Sequence, residues 1–242
     1  MSLFVIADTH LSFASPKPMN IFGSRWSMHS EKLAAIWKNI IKDSDTVVIA
    51  GDISWAMTLD EALPDLLFID SLPGKKILLK GNHDYWWSSA SKISDLFSEN
   101  DISSISILQN DSVLCEGFLL CGTRGWYSDS ETSKNSMEDA DFKKITAREA
   151  LRLSMSLENG RKKDPDAEIL VFTHFPIVFG DFVSREMLDI LHRYGVKRSF
   201  FGHIHGKYSL PPSFTYEGVE FSLVSADFLD FRPKAINASK VN

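Results

Sequence analysis

Five short apolar runs in this chain break off at the same kinds of residue. The run at 3–7 (LFVIA) leads into Asp8, Thr9 and His10, and the run at 46–50 (TVVIA) leads into Gly51 and Asp52. The run at 76–80 (KILLK) is followed by Gly81, Asn82, His83 and Asp84, and that at 168–173 (EILVFT) by His174. The run at 198–202 (RSFFG) ends on His203, Ile204 and His205. Apolar runs of this length, closed by glycine or polar turns, read as buried strands. Ligands of open α/β sheets gather outside the carboxyl ends of the strands. Five strand ends that all deliver carboxylate, carboxamide or imidazole groups therefore point to segments distant in sequence converging on one site. Of the seven histidines, five sit at these junctions. His29 and His192 lie outside the pattern, and His192, near a helix end, reads as a partner for the helix dipole.

Further strands are expected at 104–108, 112–116, 118–122, 213–217 and 219–225. Helices are expected at 30–42, 59–71, 86–98, 138–158 and 184–194. Leu33, Ile36, Trp37, Ile40 and Ile41 form an apolar stripe at helical spacing. Thr58 and Glu61 match a capping box, while Pro64 inside the second helix suggests a kink or a late start. Gly195 reads as the left-handed stop of the last helix. Strands and helices alternate, give way to a hairpin, alternate again and end as β. That order predicts an α/β protein with mixed sheets and helices outside rather than a purely parallel sheet. No linker divides the 242 residues, so 1–242 reads as a single domain. Its 44% hydrophobic share, with 17 Phe and 6 Trp, suffices for a sizeable core. The polar stretches 11–30 and 123–140 read as long loops of the kind that bind or cover ligands.

A single acidic residue after a strand is most often a turn residue, and a lone histidine such as His174 most often belongs to core or surface. The joint occurrence of these motifs, in order and at strand ends, calls for another explanation. Oxygen and imidazole donors without thiolate suit Mn, Fe, Zn, Ni or Co, and we favour Mn. Residues i and i+2 of an extended segment point to one side, so His203 and His205 reach neighbouring ions, and Asp8 and His10 can chelate one. Asp52 is the best candidate to bridge two ions.

The pattern D-x-H, G-D, G-N-H-D, H, G-H-x-H, spanning residues 8 to 205, resembles that of the calcineurin-like metallophosphoesterase superfamily. The stretch SADFLDFRP near the C-terminus is similar to small bacterial members of it. The resemblance implies a four-layer αββα fold: two mixed sheets packed as a sandwich, with helices on the outer faces. It implies two divalent metal ions, one held by Asp8, His10, Asp52 and His205, the other by Asp52, Asn82, His174 and His203. It further implies His83 as proton donor or phosphate contact, with Asp84 orienting His83. The expected reaction is hydrolysis of a phosphate ester. Hydroxide, generated at neutral pH by the ions, attacks phosphorus in line, and His83 assists the leaving group.

Arg25, in the loop after the first motif, and Arg124 and Trp126, in the loop after the hairpin, are candidate substrate contacts. The expected partner is a small phosphate ester. A net charge of −6 and the lack of a basic stripe argue against a nuclease acting on DNA or RNA. The retained His83 argues against a non-catalytic scaffold of the same fold. No apolar stretch reaches membrane-spanning length, and MSLFVIADTH lacks the features of a signal peptide. With Cys115 and Cys121 read as buried thiols, a cytoplasmic location is expected.

Overall fold

The computed structural model describes residues 1–127 and 139–237. Most of the expected loop at 123–140 lies outside the described residues. The first half alternates strand and helix: β1 (Leu3–Ile6), α1 (His29–Ile40), β2 (Thr46–Ala50), α2 (Leu59–Asp70), β3 (Lys75–Leu79), α3 (Ala90–Glu99) and β4 (Ile105–Ile107). A hairpin follows, β5 (Ser112–Cys115) and β6 (Phe118–Thr123), then α4 (Asp139–Lys163) and β7 (Glu168–Thr173). The chain continues through the short pair β8 (Val178–Phe179) and β9 (Phe182–Val183), then α5 (Arg185–Arg193) and β10 (Arg198–Phe201). It ends with β11 (Ser213–Tyr216), β12 (Val219–Leu223) and β13 (Lys234–Ile236).

Two mixed sheets result. One has the order β13-β1-β2-β3-β4, with β13 antiparallel at its edge and the rest parallel. The other has the order β11-β12-β10-β7-β6-β5, four parallel strands flanked by antiparallel edges. Side chains alternate across a strand, and here both faces are covered. Leu3, Val5, Val48, Ala50, Ile77 and Leu79 pack against Leu120, Leu170, Phe172 and Phe200 between the sheets. Phe4, Ile6, Val47 and Ile49 turn outward onto Leu33, Trp37, Leu66 and Ile93 of α1–α3. Leu119, Val171, Phe201 and Phe221 meet Leu153, Leu157, Leu188 and Leu191 of α4 and α5. Burial on both faces explains why the strands read as unbroken apolar runs rather than as alternation. No helix of the described residues is long and apolar enough to cross a membrane.

Several local expectations are modified. Helix α2 starts at Leu59, capped by the Thr58 side chain, and runs through Pro64 with no late start. The carbonyl that Pro64 leaves without an amide partner belongs to Asp60, an exposed residue within reach of water. Helix α3 starts at Ala90 rather than 86, because the Ser89 side chain caps it and Trp86 is held in the preceding turn by a bond to Asp84. Helix α4 extends past 158 to Lys163, where Arg161 donates to the carbonyls of Pro165 and Ala167 and basic residues complement the helix end. Gly195 takes the expected left-handed conformation, φ 67°. Strands β8, β9 and β13 were not expected; each is two or three residues long and carries no periodic signal.

Lys76 is fully buried, and its ammonium donates to the carbonyls of Asp70 and Leu72 at the end of α2. Burial lowers its pKa to about 8 from the ordinary 10.5. The folded state thus releases this proton before the unfolded state does, so the group adds stability as pH rises from about 8 towards 10.5. The gap corresponds to at most about 3 kcal/mol. Urea denaturation at neutral and at alkaline pH should show the parent gaining on Lys76→Met. A constant difference between the two proteins would show that Lys76 titrates alike in both states.

Candidate metal centre

The loops after β1 and β2 run side by side: Asp8 N–H donates to Gly51 O (2.8 Å) and His10 N–H to Asp52 O (3.0 Å). Those after β7 and β10 are tied by Gly202 N–H to His174 O (3.0 Å). The two sheets meet where Ala7 bridges Ser225: Ala7 N–H donates to Val224 O and Ala226 N–H to Ala7 O, both at 2.8 Å. Strand ends from both sheets are thereby gathered at one place. Four candidate ligands sit in left-handed backbone: Asp8 (φ 61°), His10 (46°), Asp52 (51°) and His203 (69°). Such conformations cost non-glycine residues roughly 1–3 kcal/mol each and persist only where their surroundings hold them. The glycines beside the ligands are steric requirements. A Cβ on Gly81 would fall inside the Asp52 carboxylate, and one on Gly202 would strike that of Asp8.

The side chains form two donor groups. Asp8, His10 and His205 offer ligand atoms within 4.8 Å of one another, as do Asp8, Asp52 and His174. His10 Nε2 and His205 Nε2 face each other at 3.4 Å, and His205 Nε2 lies 3.4 Å from Asp8 Oδ1. Asn82 Oδ1 lies 2.6 Å from His174 Nε2 and 3.0 Å from His203 Nδ1. Asp52 Oδ2 stands between the groups, 3.7 Å from His10 Nε2 and 3.5 Å from His174 Nε2. Its other oxygen accepts the backbone N–H of His83 (2.7 Å).

The electrostatics suit cations. Burial keeps His10, His174 and His203 below the ordinary imidazole range, His203 at about 3. They are thus held in the neutral form that offers a lone pair to a metal. Burial and the charge of Asp8 push Asp52 up to about 8. Burial opposes the charge on Asp8 as well, but His205, His174 and His10 outweigh it and hold that carboxyl below its usual range. Burial also opposes the charge on His205, yet Asp8 and Asp227 raise it to about 10. Crowded carboxylates, neutral imidazoles and a proton held between His205 and Asp8 are the features expected where divalent cations would take the protons' place. The residues present fit two such ions.

Three further residues brace this set. Asp227 Oδ1 lies 2.8 Å from His205 Nδ1, and its Oδ2 accepts Gly206 N–H (3.0 Å). His29 Nε2 contacts the backbone oxygen of His10 (3.2 Å), and Trp55 stacks on the His10 ring at 4.7 Å. Sequence reading missed all three roles. The SADFLDFRP stretch was the available signal for Asp227, but only the meeting of β1 with the end of β12 shows its target. A carboxylate that hydrogen-bonds the far ring nitrogen of a ligating histidine commonly accounts for about 10–100-fold in metal affinity. Asp227→Asn is therefore expected to weaken Mn²⁺ or Co²⁺ binding by about that factor in calorimetric titration; an unchanged affinity would remove Asp227 from the centre.

Asp84 does not take the role expected of it. Its fully buried carboxylate accepts the backbone N–H groups of Asp52, Ile53, Ser54 and Gly81 at 2.7–3.2 Å, and Trp86 Nε1–H at 3.0 Å. No hydrogen bond joins it to the His83 ring, whose Nδ1 is buried without a partner among the described residues. Asp84 instead ties the loop after β3 to the loop after β2.

A cleft of about 450 Å³ opens on His10, Asp52, His83, His203 and His205, with Met19, Phe22, Trp26 and Trp55 as apolar walls. Of the candidate substrate residues, Arg25 stands nearest. It donates to Asp227 O (2.9 Å) and lies over the Tyr208 ring. Arg124 and Trp126 do not line this cleft. Arg124 turns towards Glu149 of α4, and the Trp126 ring packs on Phe175 at 5.4 Å. Their place in the loop after the hairpin did not predict direction, because β6 ends beside α4 rather than beside the cleft wall.

Comparison with known proteins agrees with this geometry. The sequence model for the calcineurin-like phosphoesterase family matches residues 1–207. Among solved structures, the phosphopantetheinyl hydrolase PptH from Mycobacterium tuberculosis is 16% identical, with a TM-score of 0.56, over 100% of this chain and 97% of its own. The protein TT1561 of Thermus thermophilus is 8% identical, with a TM-score of 0.54, over 97% of both chains. These likenesses are of fold. A search of curated protein sequences returns no match.

Proposed function

Because the chain belongs to the calcineurin-like phosphoesterase family, we propose that it hydrolyses small-molecule phosphate esters at a two-cation centre. Asp8, His10, Asp52 and His205 would hold one ion and Asp52, Asn82, His174 and His203 the other. The observation that supports this best is the place of Asp52 Oδ2, within 3.7 Å of a histidine nitrogen from each group. Manganese suits the oxygen and imidazole donors. When bound, such ions supply charge to offset a phosphoryl group and lower the pKa of water.

The chain's own residues do the remainder. The backbone of His83 is fixed by its bond to Asp52, and its half-buried ring packs on Trp55 at 4.3 Å. Burial and the neighbouring His174 lower its pKa to about 4, so it rests neutral. An anionic ester entering the cleft opposes that shift and favours the protonated ring; as a hydroxide oxygen would bond to phosphorus in line, the ring gives its proton to the oxygen whose bond to phosphorus breaks. Trp26, Trp55, Met19 and Phe22 suit an apolar or aromatic leaving group and exclude water from one side. The net charge of −6 disfavours long nucleic acid as substrate. Free thiols at Cys115 and Cys121 favour the cytoplasm as the setting.

Metal content by elemental analysis, together with hydrolysis of nitrophenyl phosphate and bis-nitrophenyl phosphate under added Mn, Ni or Zn, tests the reading and separates phosphatase from phosphodiesterase. His83→Gln should retain the metal and lose roughly 10²–10⁴-fold in kcat. The loss should be smaller for nitrophenyl esters, whose leaving group needs no proton, than for alkyl esters. A protein that binds no metal and cleaves neither ester would overturn the proposal.

A further inference from the structure

A second cavity, of about 290 Å³, shares no lining residue with the metal cleft. Four cationic side chains converge on it: Lys80, next after β3, Arg124, next after β6, and Arg148 and Arg152, one turn apart on α4. Glu149 is the anion among the lining residues. It is fully buried and already engaged. One oxygen accepts from Arg152 Nη1 (2.6 Å) and lies 4.0 Å from Arg124 Nη2, and the other accepts from Thr123 Oγ1 (2.6 Å). Four cations against one anion leave three positive charges in a chain whose net charge is −6. Lys80 and Arg148 have no ion-pair partner among the described residues, and Arg124 Nε is buried without a hydrogen-bond partner.

This arrangement is unfavourable for folding alone. Like charges at i and i+4, as at Arg148 and Arg152, destabilise a helix. A bound anion removes that conflict, and guanidinium groups match phosphate or carboxylate oxygens in bidentate geometry. A cavity of this size lies at the small end of ligand pockets, suited to a single oxyanionic group.

We propose that this cavity binds a small oxyanion, phosphate or carboxylate, through Lys80, Arg124, Arg148 and Arg152. The cavity is joined to the metal centre through the backbone: Lys80 directly precedes Gly81 and Asn82, and the Arg124 carbonyl accepts the N–H of His174 (3.1 Å). The anion has two sources, a second charged group on the ester substrate or a separate free anion. Site and ligand chemistry do not depend on the reading of the metal centre.

Calorimetric titration with inorganic phosphate tests the site, with Asp52→Asn as background to suppress binding at the metal centre. Phosphate binding should persist in Asp52→Asn and weaken tenfold or more when Arg148→Gln or Lys80→Gln is added. Arg148 is exposed and Lys80 has no side-chain hydrogen-bond partner among the described residues, so unchanged thermal unfolding should confirm that both variants remain folded. Phosphate binding absent from Asp52→Asn, or unaffected by both substitutions, overturns the proposal. A second arm uses the metal-loaded parent and compares an alkanediol bisphosphate with the matching alkyl monophosphate. A preference for the bisphosphate that Arg148→Gln removes supports the site and assigns the anion to the substrate. Phosphate binding in the cavity without such a preference supports the site and assigns a free anion. Failure to hydrolyse either ester would count against the proposed function and leave the calorimetric result standing.

Discussion

Asp52→Asn is expected to abolish cation binding at the centre and reduce ester hydrolysis by roughly 10³-fold or more, at least the scale seen when a single preorganised electrostatic contact is removed. The carboxamide keeps the shape and still accepts the His83 N–H, so the loop after β3 stays in place. What disappears is the charge facing both His10 and His174. The cation-free protein should not be destabilised by the change. Burial and the charge of Asp8 raise Asp52 to about 8, so an uncharged residue there relieves a conflict rather than creating one. Thermal unfolding with and without Mn²⁺ separates these effects. The parent should gain in Tm on adding the ion and the variant should not, with equal or higher Tm for the variant when no ion is present. A variant that keeps the parent's metal-dependent gain would remove Asp52 from the role of shared ligand.

Asp84→Asn should show the opposite profile, a large loss of stability. The carboxylate accepts five N–H donors, four of them backbone groups in the turns that present Asp52 and His83. A carboxamide has one accepting oxygen, and its NH₂ would face donors. A buried donor left without a partner costs about 1–3 kcal/mol, so two or more such losses amount to roughly 3–5 kcal/mol. Urea denaturation would read this as a lower midpoint, with metal binding weakened as a consequence of loop disorder. A variant within about 1 kcal/mol of the parent would mean that water replaces the lost acceptor, and Asp84 would then not be what joins the two loops.

The five strand-end motifs were legible because each is local. A strand buried on both faces reads as an apolar run, and a polar group at its end has nowhere to sit but a turn or a site. The mixed two-sheet arrangement followed from the order of those runs and the resemblance they carry. The left-handed backbone at Asp8, His10, Asp52 and His203 was not legible, since nothing in an aspartate or histidine announces φ > 0. Nor was the direction of Arg124, which follows from the buried Glu149 beneath it, or the engagement of Asp227 with His205.

By itself the sequence determined which groups are available, which runs become strands, and that carboxylates and imidazoles stand at strand ends. Only the tertiary structure decided which of them meet. His10 and His205 are separated by 195 positions and face each other at 3.4 Å. Asp84 braces loops instead of His83, and four cations share a cavity away from the metal cleft. Residue type and spacing encode burial and local period, whereas contacts between distant segments depend on strand order, register and the bridge where the two sheets meet.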